Sequence, residues 1–165
     1  MPKPLVSIVM GSDSDLPTKE EAVKILEAFE VEYELTISSA HRAPERTRRY
    51  AQEATKRGVK VIIAGAGGAA HLAGMIAAET TLPVVGVPID SSSLKGLDAL
   101  LSTVQMPGGV PVATMAIGRA GARNGAILAV QILALSDPVL FEKLERYKAS
   151  LAKEVEEMAA RVKKR

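Results

Sequence analysis

Apolar residues follow two different spacings along the chain, and the two alternate. Leu5–Met10 is a short β-rich run that stops at Gly11-Ser12-Asp13-Ser14-Asp15, a turn cluster with several helix-capping side chains. Ala22, Ile25, Leu26 and Phe29 then recur at helical intervals, with Pro17 suited to a first helical turn. Val31–Ser38 alternates apolar and polar residues, which predicts a half-exposed strand. Pro44 opens a second, highly charged helix that Gly58 closes. Val59–Ala64 reads as a third strand, followed by Gly65–Gly68 and an Ala-rich stretch from Ala69 to Thr80. Leu82–Val87 supplies a fourth strand, 94–104 a helix, Val110–Ile117 a fifth strand and 121–135 a long apolar helix, before Asp137-Pro138 starts the last one.

Strands alternating with helices predict βαβ units, a parallel sheet covered on both faces, and one domain over residues 1–165. In such sheets ligands sit beyond the carboxyl ends of the strands, where the strand order reverses. The loops after the first three strands, 11–15, 39–44 and 65–74, are therefore the place to look, and they contain both histidines. In the last helix, over about 137–163, Leu140, Leu144, Tyr147, Leu151, Val155, Met158 and Val162 are three or four residues apart, a seam-like stripe. A helix of about 25 residues would extend about 37 Å at 1.5 Å per residue. Of the two readings, a helix lying on its own domain's core or a helix at a subunit interface, this length favours the interface.

Composition removes several classes of function. Apolar residues are 47 % and charged residues 24 %, the balance of a soluble globular protein. A net charge of +2 gives no broad basic field for nucleic acid and no polybasic membrane patch. Aromatics at 3 % are too few for a base-stacking platform. Without cysteine there is no disulfide, iron–sulfur cluster or thiol nucleophile. His41 and His71 cannot by themselves make a three-histidine zinc site. No signal sequence is read and no segment approaches 18 consecutive apolar residues, so a cytoplasmic protein is expected.

The three loops carry the candidate chemistry. In Gly11–Asp15, backbone N–H groups at a helix N-terminus can hold an anion, with Ser12 and Ser14 adding hydroxyl donors. Asp13 and Asp15 do not suit a phosphate, but a carboxylate accepts hydrogen bonds from a ribose diol; alternatively, Ser14 or Asp15 is simply a helix cap. The acidic pocket of a response-regulator receiver does not fit, because the third strand ends in Ala64-Gly65 where a receiver needs an aspartate. In Ser38–Glu45, Arg42 can hold a phosphate bidentately and His41 can move a proton near neutral pH. Gly65–Ala70 formally fits a dinucleotide fingerprint, but it follows the third strand rather than the first, so a nicotinamide enzyme is weakly supported. No P-loop motif is present. Its glycines let backbone approach a flat ligand, and His71 just beyond either bonds to backbone or subunit neighbours or lines the pocket.

Gly11–Asp15, Ser39-Ala40-His41-Arg42-Ala43-Pro44, Gly65–Met75 and Gln105-Met106-Pro107 occur in an order and spacing that resembles the PurE family. Within it the chain resembles the class I enzymes, the N5-carboxyaminoimidazole ribonucleotide mutases of purine biosynthesis. The resemblance implies a three-layer αβα, flavodoxin-like fold with a five-stranded parallel core and a long C-terminal helix that helps assemble a homo-octamer. It implies that carboxylate moves from the exocyclic nitrogen of the substrate to C4 of its imidazole ring, with no cofactor, metal or ATP. It implies His41 as the acid/base and Arg42 on the phosphate, aided by Ser14 and Ser39. Ser12 and Asp15 would contact substrate, Asp15 on the ribose, and Gly67, His71 and Leu72 would line the pocket. Class II relatives, which carboxylate aminoimidazole ribonucleotide with free carbon dioxide, tend to have Lys after the catalytic histidine; Arg42 and His71 point to class I. Two positions depart from the family pattern: Ala73 stands where Pro is usual, and Ala43 where Thr is usual. A non-catalytic nucleotide-sensing module on the same fold is the competing class of function.

Overall fold

The computed structural model describes residues 3–163. Five strands form one parallel sheet: β1 (Val6–Met10), β2 (Tyr33–Ile37), β3 (Val61–Gly67), β4 (Val84–Ile89) and β5 (Ala113–Thr114), in the order β2-β1-β3-β4-β5. Every residue of β1 and β4 is buried, as the continuous apolar runs require of strands covered on both faces. β2, whose sequence alternates, is an edge strand of mixed exposure.

Six helices complete the element order: α1 (Leu16–Ala28), α2 (Pro44–Arg57), α3 (Leu72–Glu79), α4 (Leu97–Val104), α5 (Arg119–Ala134) and α6 (Pro138–Lys163). Within the first unit helices lie on both sides of the sheet, in the flavodoxin-like arrangement. On one face Ala51 and Ala54 of α2 and Leu72, Ala73 and Ile76 of α3 pack with Val9, Ile62 and Ala64 of the central strands. On the other, Gly125 of α5 lies against Val85 and Val87, and Lys19 of α1 borders a cavity with Met10, Leu35 and Ile37. The described residues fall into two compact units that divide between Val130 and Gln131; the first contains the whole sheet and the second the end of α5 and all of α6.

The second helix occupies the expected span. Pro44 lies in its first turn and Gly58 ends it at φ 103°, a left-handed conformation that side chains oppose. Two expectations are corrected. The helix expected over 94–104 begins only at Leu97, because Lys95 (φ 52°) and Gly96 (φ 88°) are both left-handed and close a turn. The strand expected over 110–117 pairs at only two residues. Beyond Thr114 the attachment to β4 is irregular: the Met115 amide donates to the Gly86 carbonyl and the Gly118 amide to the Pro88 carbonyl, each at 2.8 Å. Pro111, just before the paired residues, has no amide hydrogen to give a ladder.

In α6 the apolar stripe changes character along its length. Leu140 is buried, Leu144, Tyr147 and Leu151 are partly covered, and Val155, Met158 and Val162 are exposed. A second exposed apolar row, Leu94, Leu97, Leu101 and Val104, runs along α4 and the turn before it. Among the described residues, no helix is long and apolar enough to cross a membrane.

Near the amino ends of the strands a polar network ties α2 to the sheet. The Tyr50 hydroxyl bonds to Ser7 Oγ at 2.7 Å and donates to the Glu34 carboxylate. Arg57 grips the same carboxylate through Nε and Nη2 and stacks 4.1 Å from the centre of the Tyr50 ring. Burial first, and then the bond to Glu34, push the Tyr50 phenol up to about 12 from an ordinary value of 10.0. The folded state thus holds this proton more tightly than the unfolded chain. The stability it contributes is complete below pH 10.0 and is lost as the pH climbs towards 12. Tyr50→Phe is expected to be less stable than the parent at pH 8, with the gap closing between pH 10.0 and 12; a gap that stays constant in urea melts across that window would refute the coupling.

Candidate active site

The sheet order places β1 between β2 and β3, so the loops leaving β1 and β3 diverge and open a crevice beyond their carboxyl ends. A cavity of about 350 Å³ lies there, large enough for a small ligand. The residues that the family resemblance singles out all border it, namely Ser12, Ser14, Asp15, Ser39, His41, Arg42, Gly67, His71 and Leu72, whereas Asp13, the other carboxylate of the first loop, does not line it.

The first loop runs through a single 3-10 turn, Asp13–Asp15, into α1. Asp15 occupies the N-cap position of α1, yet its side chain makes no capping bond. The carboxylate instead borders the cavity while only 3 % exposed. Burial raises its pKa above 3.8; bonds from the Ser12 backbone and the Ser14 side chain offset part of that effect, and the Asp13 charge adds to it. The Ser14 hydroxyl donates to Ser12 Oγ at 3.0 Å, so the two hydroxyls form one polar wall.

The second loop folds back on itself. The Ala43 amide donates to the Ser39 carbonyl at 2.9 Å, and Ser39 Oγ accepts both the Arg42 amide (3.2 Å) and Arg42 Nε (3.4 Å). Ser39 thereby orients the guanidinium. Ala43 is the N-cap of α2 and offers no capping side chain, where a threonine would carry a hydroxyl. In place of a cap, Ser38 Oγ and Thr47 Oγ1, both buried, bond at 2.7 Å and fix the strand to the helix.

The third loop brings backbone close. A Cβ on Gly67 would lie 1.9 Å from Ser91 Oγ, so only glycine lets the end of β3 approach the loop after β4 this closely. Leu72 belongs both to the cavity wall and to the buried core. His71 caps α3 by position, and its ring meets that of His41: Nδ1 of His71 is 2.7 Å from Nε2 of His41, with the rings edge-on at 84° and 4.8 Å between centres. Of the two sequence alternatives for His71, the structure shows the cavity lining; its ring bonds His41 of the same chain, and not backbone or a subunit neighbour.

Ser91 was missed. It borders the cavity from the loop after β4, beside β3 in the sheet. The signal was available in Asp90-Ser91-Ser92-Ser93, a polar run directly after a strand. Among the described residues no group of three or more His, Asp or Glu side chains could hold a metal ion.

The AIR carboxylase family model matches residues 5–154. The chain belongs to the AIR carboxylase family. It is 60 % identical over 160 residues to the N5-carboxyaminoimidazole ribonucleotide mutase of Pyrococcus horikoshii, covering 97 % of this chain and 89 % of that one. It is 60 % identical over 150 residues to the mutase of Synechocystis, covering 91 % and 84 %. The crystal structure of Treponema denticola PurE superposes with a TM-score of 0.83 at 30 % identity, over 94 % of this chain and 96 % of that one. In this AIR carboxylase family member the crevice is lined by residues of the loops after β1, β2 and β3, and by Ser91.

The desolvated Asp15 carboxylate makes a direct prediction. Its raised pKa means that the folded state disfavours the ionised form, so the cost is absent below pH 3.8 and present once the group ionises. Asp15→Asn is expected to melt at a higher temperature than the parent at pH 7, with the difference shrinking as the pH falls towards 3.8 and absent below it. A lower melting temperature for the variant at pH 7 would show that the carboxylate is a net stabiliser.

Proposed function

We propose that this chain is an N5-carboxyaminoimidazole ribonucleotide mutase, an isomerase of purine (IMP) biosynthesis. The observation that carries this reading is the convergence of Ser12, Asp15, Ser39, His41 and Arg42 on one crevice at the carboxyl ends of β1 to β3, joined to the mutase relatives that span nearly the whole chain. Arg42, held by Ser39, binds the substrate phosphate with help from the Ser14 hydroxyl. Asp15 accepts hydrogen bonds from the ribose diol, and the backbone at Gly67 with Leu72 lies along the imidazole ring.

His41 performs the proton transfers. Protonated His41 gives its proton to the exocyclic nitrogen; the carbon–nitrogen bond breaks, its electron pair stays on nitrogen, and carbon dioxide leaves. The crevice keeps the carbon dioxide beside the ring, a proximity effect. The C4 electron pair then attacks carbon dioxide, and neutral His41 takes the C4 proton. The ring regains aromaticity and His41 regains its charge. The sum is an isomerisation with atoms and electrons balanced, so it needs neither redox cofactor nor ATP. The substrate is a small-molecule ribonucleotide and the compartment this implies is the cytoplasm.

The reading includes a homo-octamer. It is supported by the exposed apolar rows on α4 and on the last turns of α6, and by an apolar groove of about 520 Å³ between Leu135 and Lys148. Replacing Val155 and Met158 by Glu is expected to lower the oligomeric state in sedimentation; an unchanged octamer would remove the α6 row from the interface.

The deciding experiment is an ultraviolet progress curve with N5-carboxyaminoimidazole ribonucleotide, beside one with aminoimidazole ribonucleotide and bicarbonate. Rapid conversion of the first and slow use of the second is expected. The reverse would mean a class II carboxylase, and silence in both a sensing module. His41→Asn is expected to lose at least about a thousandfold in kcat, within the range of acid–base contributions, while binding substrate within about tenfold of the parent. Near-normal turnover would refute the role of His41.

A further inference from the structure

Two imidazoles 2.7 Å apart through Nε2 of His41 and Nδ1 of His71 must share one hydrogen, because two bare nitrogens repel and two N–H groups clash. Backbone bonds fix the segments that carry both rings. The His71 amide donates to the Ala69 carbonyl at 2.8 Å, and its carbonyl accepts the Met75 amide at 2.9 Å as α3 begins. His41 is held in the Ser39–Ala43 turn. The contact therefore needs one ring nitrogen to donate and the other to accept.

The shared hydrogen can belong to either ring, and the choice decides what His41 can do. If His71 donates, neutral His41 keeps its hydrogen on Nδ1, and both of its nitrogens are occupied. It then has no lone pair with which to take a proton. If His41 donates through Nε2, its Nδ1 is a free base when neutral and an acid when charged. Only this second arrangement lets one ring give a proton and later recover one without breaking the contact.

We propose that His71 is a positioning residue: its Nδ1 accepts the Nε2–H of His41, and Nδ1 of His41 is thereby made the nitrogen that exchanges protons with substrate. Its chemical consequence rests on the mutase reading above, whereas the tautomer itself does not. His71 keeps its own hydrogen on Nε2 throughout. In the first step the Nδ1 proton of charged His41 passes to the substrate nitrogen; in the second the same Nδ1 takes the C4 proton. The Nε2–H to Nδ1 bond persists in both, so the ring stays aimed.

The chain has only two histidines, so ring-labelled nitrogen NMR of the full-length, ligand-free protein reads each tautomer directly. With both rings neutral, His41 and His71 are each expected as the Nε2–H form. Finding His41 with its hydrogen on Nδ1 would overturn the proposal, whatever the enzyme assays show. In His71→Leu the His41 preference is expected to relax to a mixture, and kcat to fall by about a hundredfold with KM within about threefold. His71→Asn, whose amide oxygen can accept at the place of Nδ1, is expected to regain most of kcat. If Asn is no better than Leu, or if KM alone moves, His71 does not act by accepting from His41. Should the parent enzyme fail to turn over the mutase substrate, the spectra still decide the tautomer and the functional reading alone fails.

Discussion

β1 hydrogen-bonds to β2 on one side and to β3 on the other, and everything functional in this protein follows from that position. Parallel strands are joined by right-handed crossovers, so a chain that steps first to one side of β1 and then back past it must place the two connecting helices on opposite faces. α1 and α2 do this, and the loops that lead away from β1 and β3 separate. The crevice between them is thus a by-product of chain topology. It sits where three strand ends supply loop side chains and where glycines at the end of β3 leave backbone accessible. No other boundary between neighbouring strands reverses direction in this way.

The crevice holds charges of both signs at different depths. Asp15 is almost fully buried and meets a desolvation cost, whereas Arg42 and the two histidines are exposed. A buried carboxylate that caps no helix and meets no cation is a poor choice for stability. The bonds from the Ser12 backbone and the Ser14 side chain offset only part of its desolvation. The exposed guanidinium is the converse case, since its own orientation is supplied by Ser39 while its forked edge is left for an anion. The crevice thus has an acidic side chain at its buried end and a guanidinium at its exposed end.

Much of this was legible in the sequence because it depends on local rules. Pro44 and Gly58 bound α2 through their own backbone preferences, and Ala22, Ile25, Leu26 and Phe29 are all buried, as their spacing requires. The loops to inspect followed from the βαβ pattern alone. What escaped depends on partners far away in sequence. β5 is short because its attachment to β4 turns irregular beyond Thr114, through the Met115 and Gly118 amides, which the apolar pattern does not reveal. α4 starts late because Lys95 and Gly96 adopt left-handed angles that the apolar periodicity of Leu94, Leu97 and Leu101 does not reveal. The bond between His41 and His71 spans 30 positions and crosses two loops, and no spacing rule could register it.

α2 is the element that converts the fold into an accurate site. His41 and Arg42 precede its first turn by only a few residues, so any slip of the helix along the sheet displaces both. Its N-cap, Ala43, contributes no side-chain bond. The helix is instead fixed from the sheet side, by Thr47 to Ser38 near its start, by Tyr50 to Ser7 in the middle, and by Arg57 to Glu34 in its last turn. The three ties are spaced along one face, with Ala51 and Ala54 packed into the core between them. Small alanines let the helix lie close to β1 and β3, and close approach is what brings the polar ties within bonding range. The loop before α2 can therefore dispense with a cap and still present its histidine at a set position, because the order of the site is carried by interactions that begin a full turn beyond it.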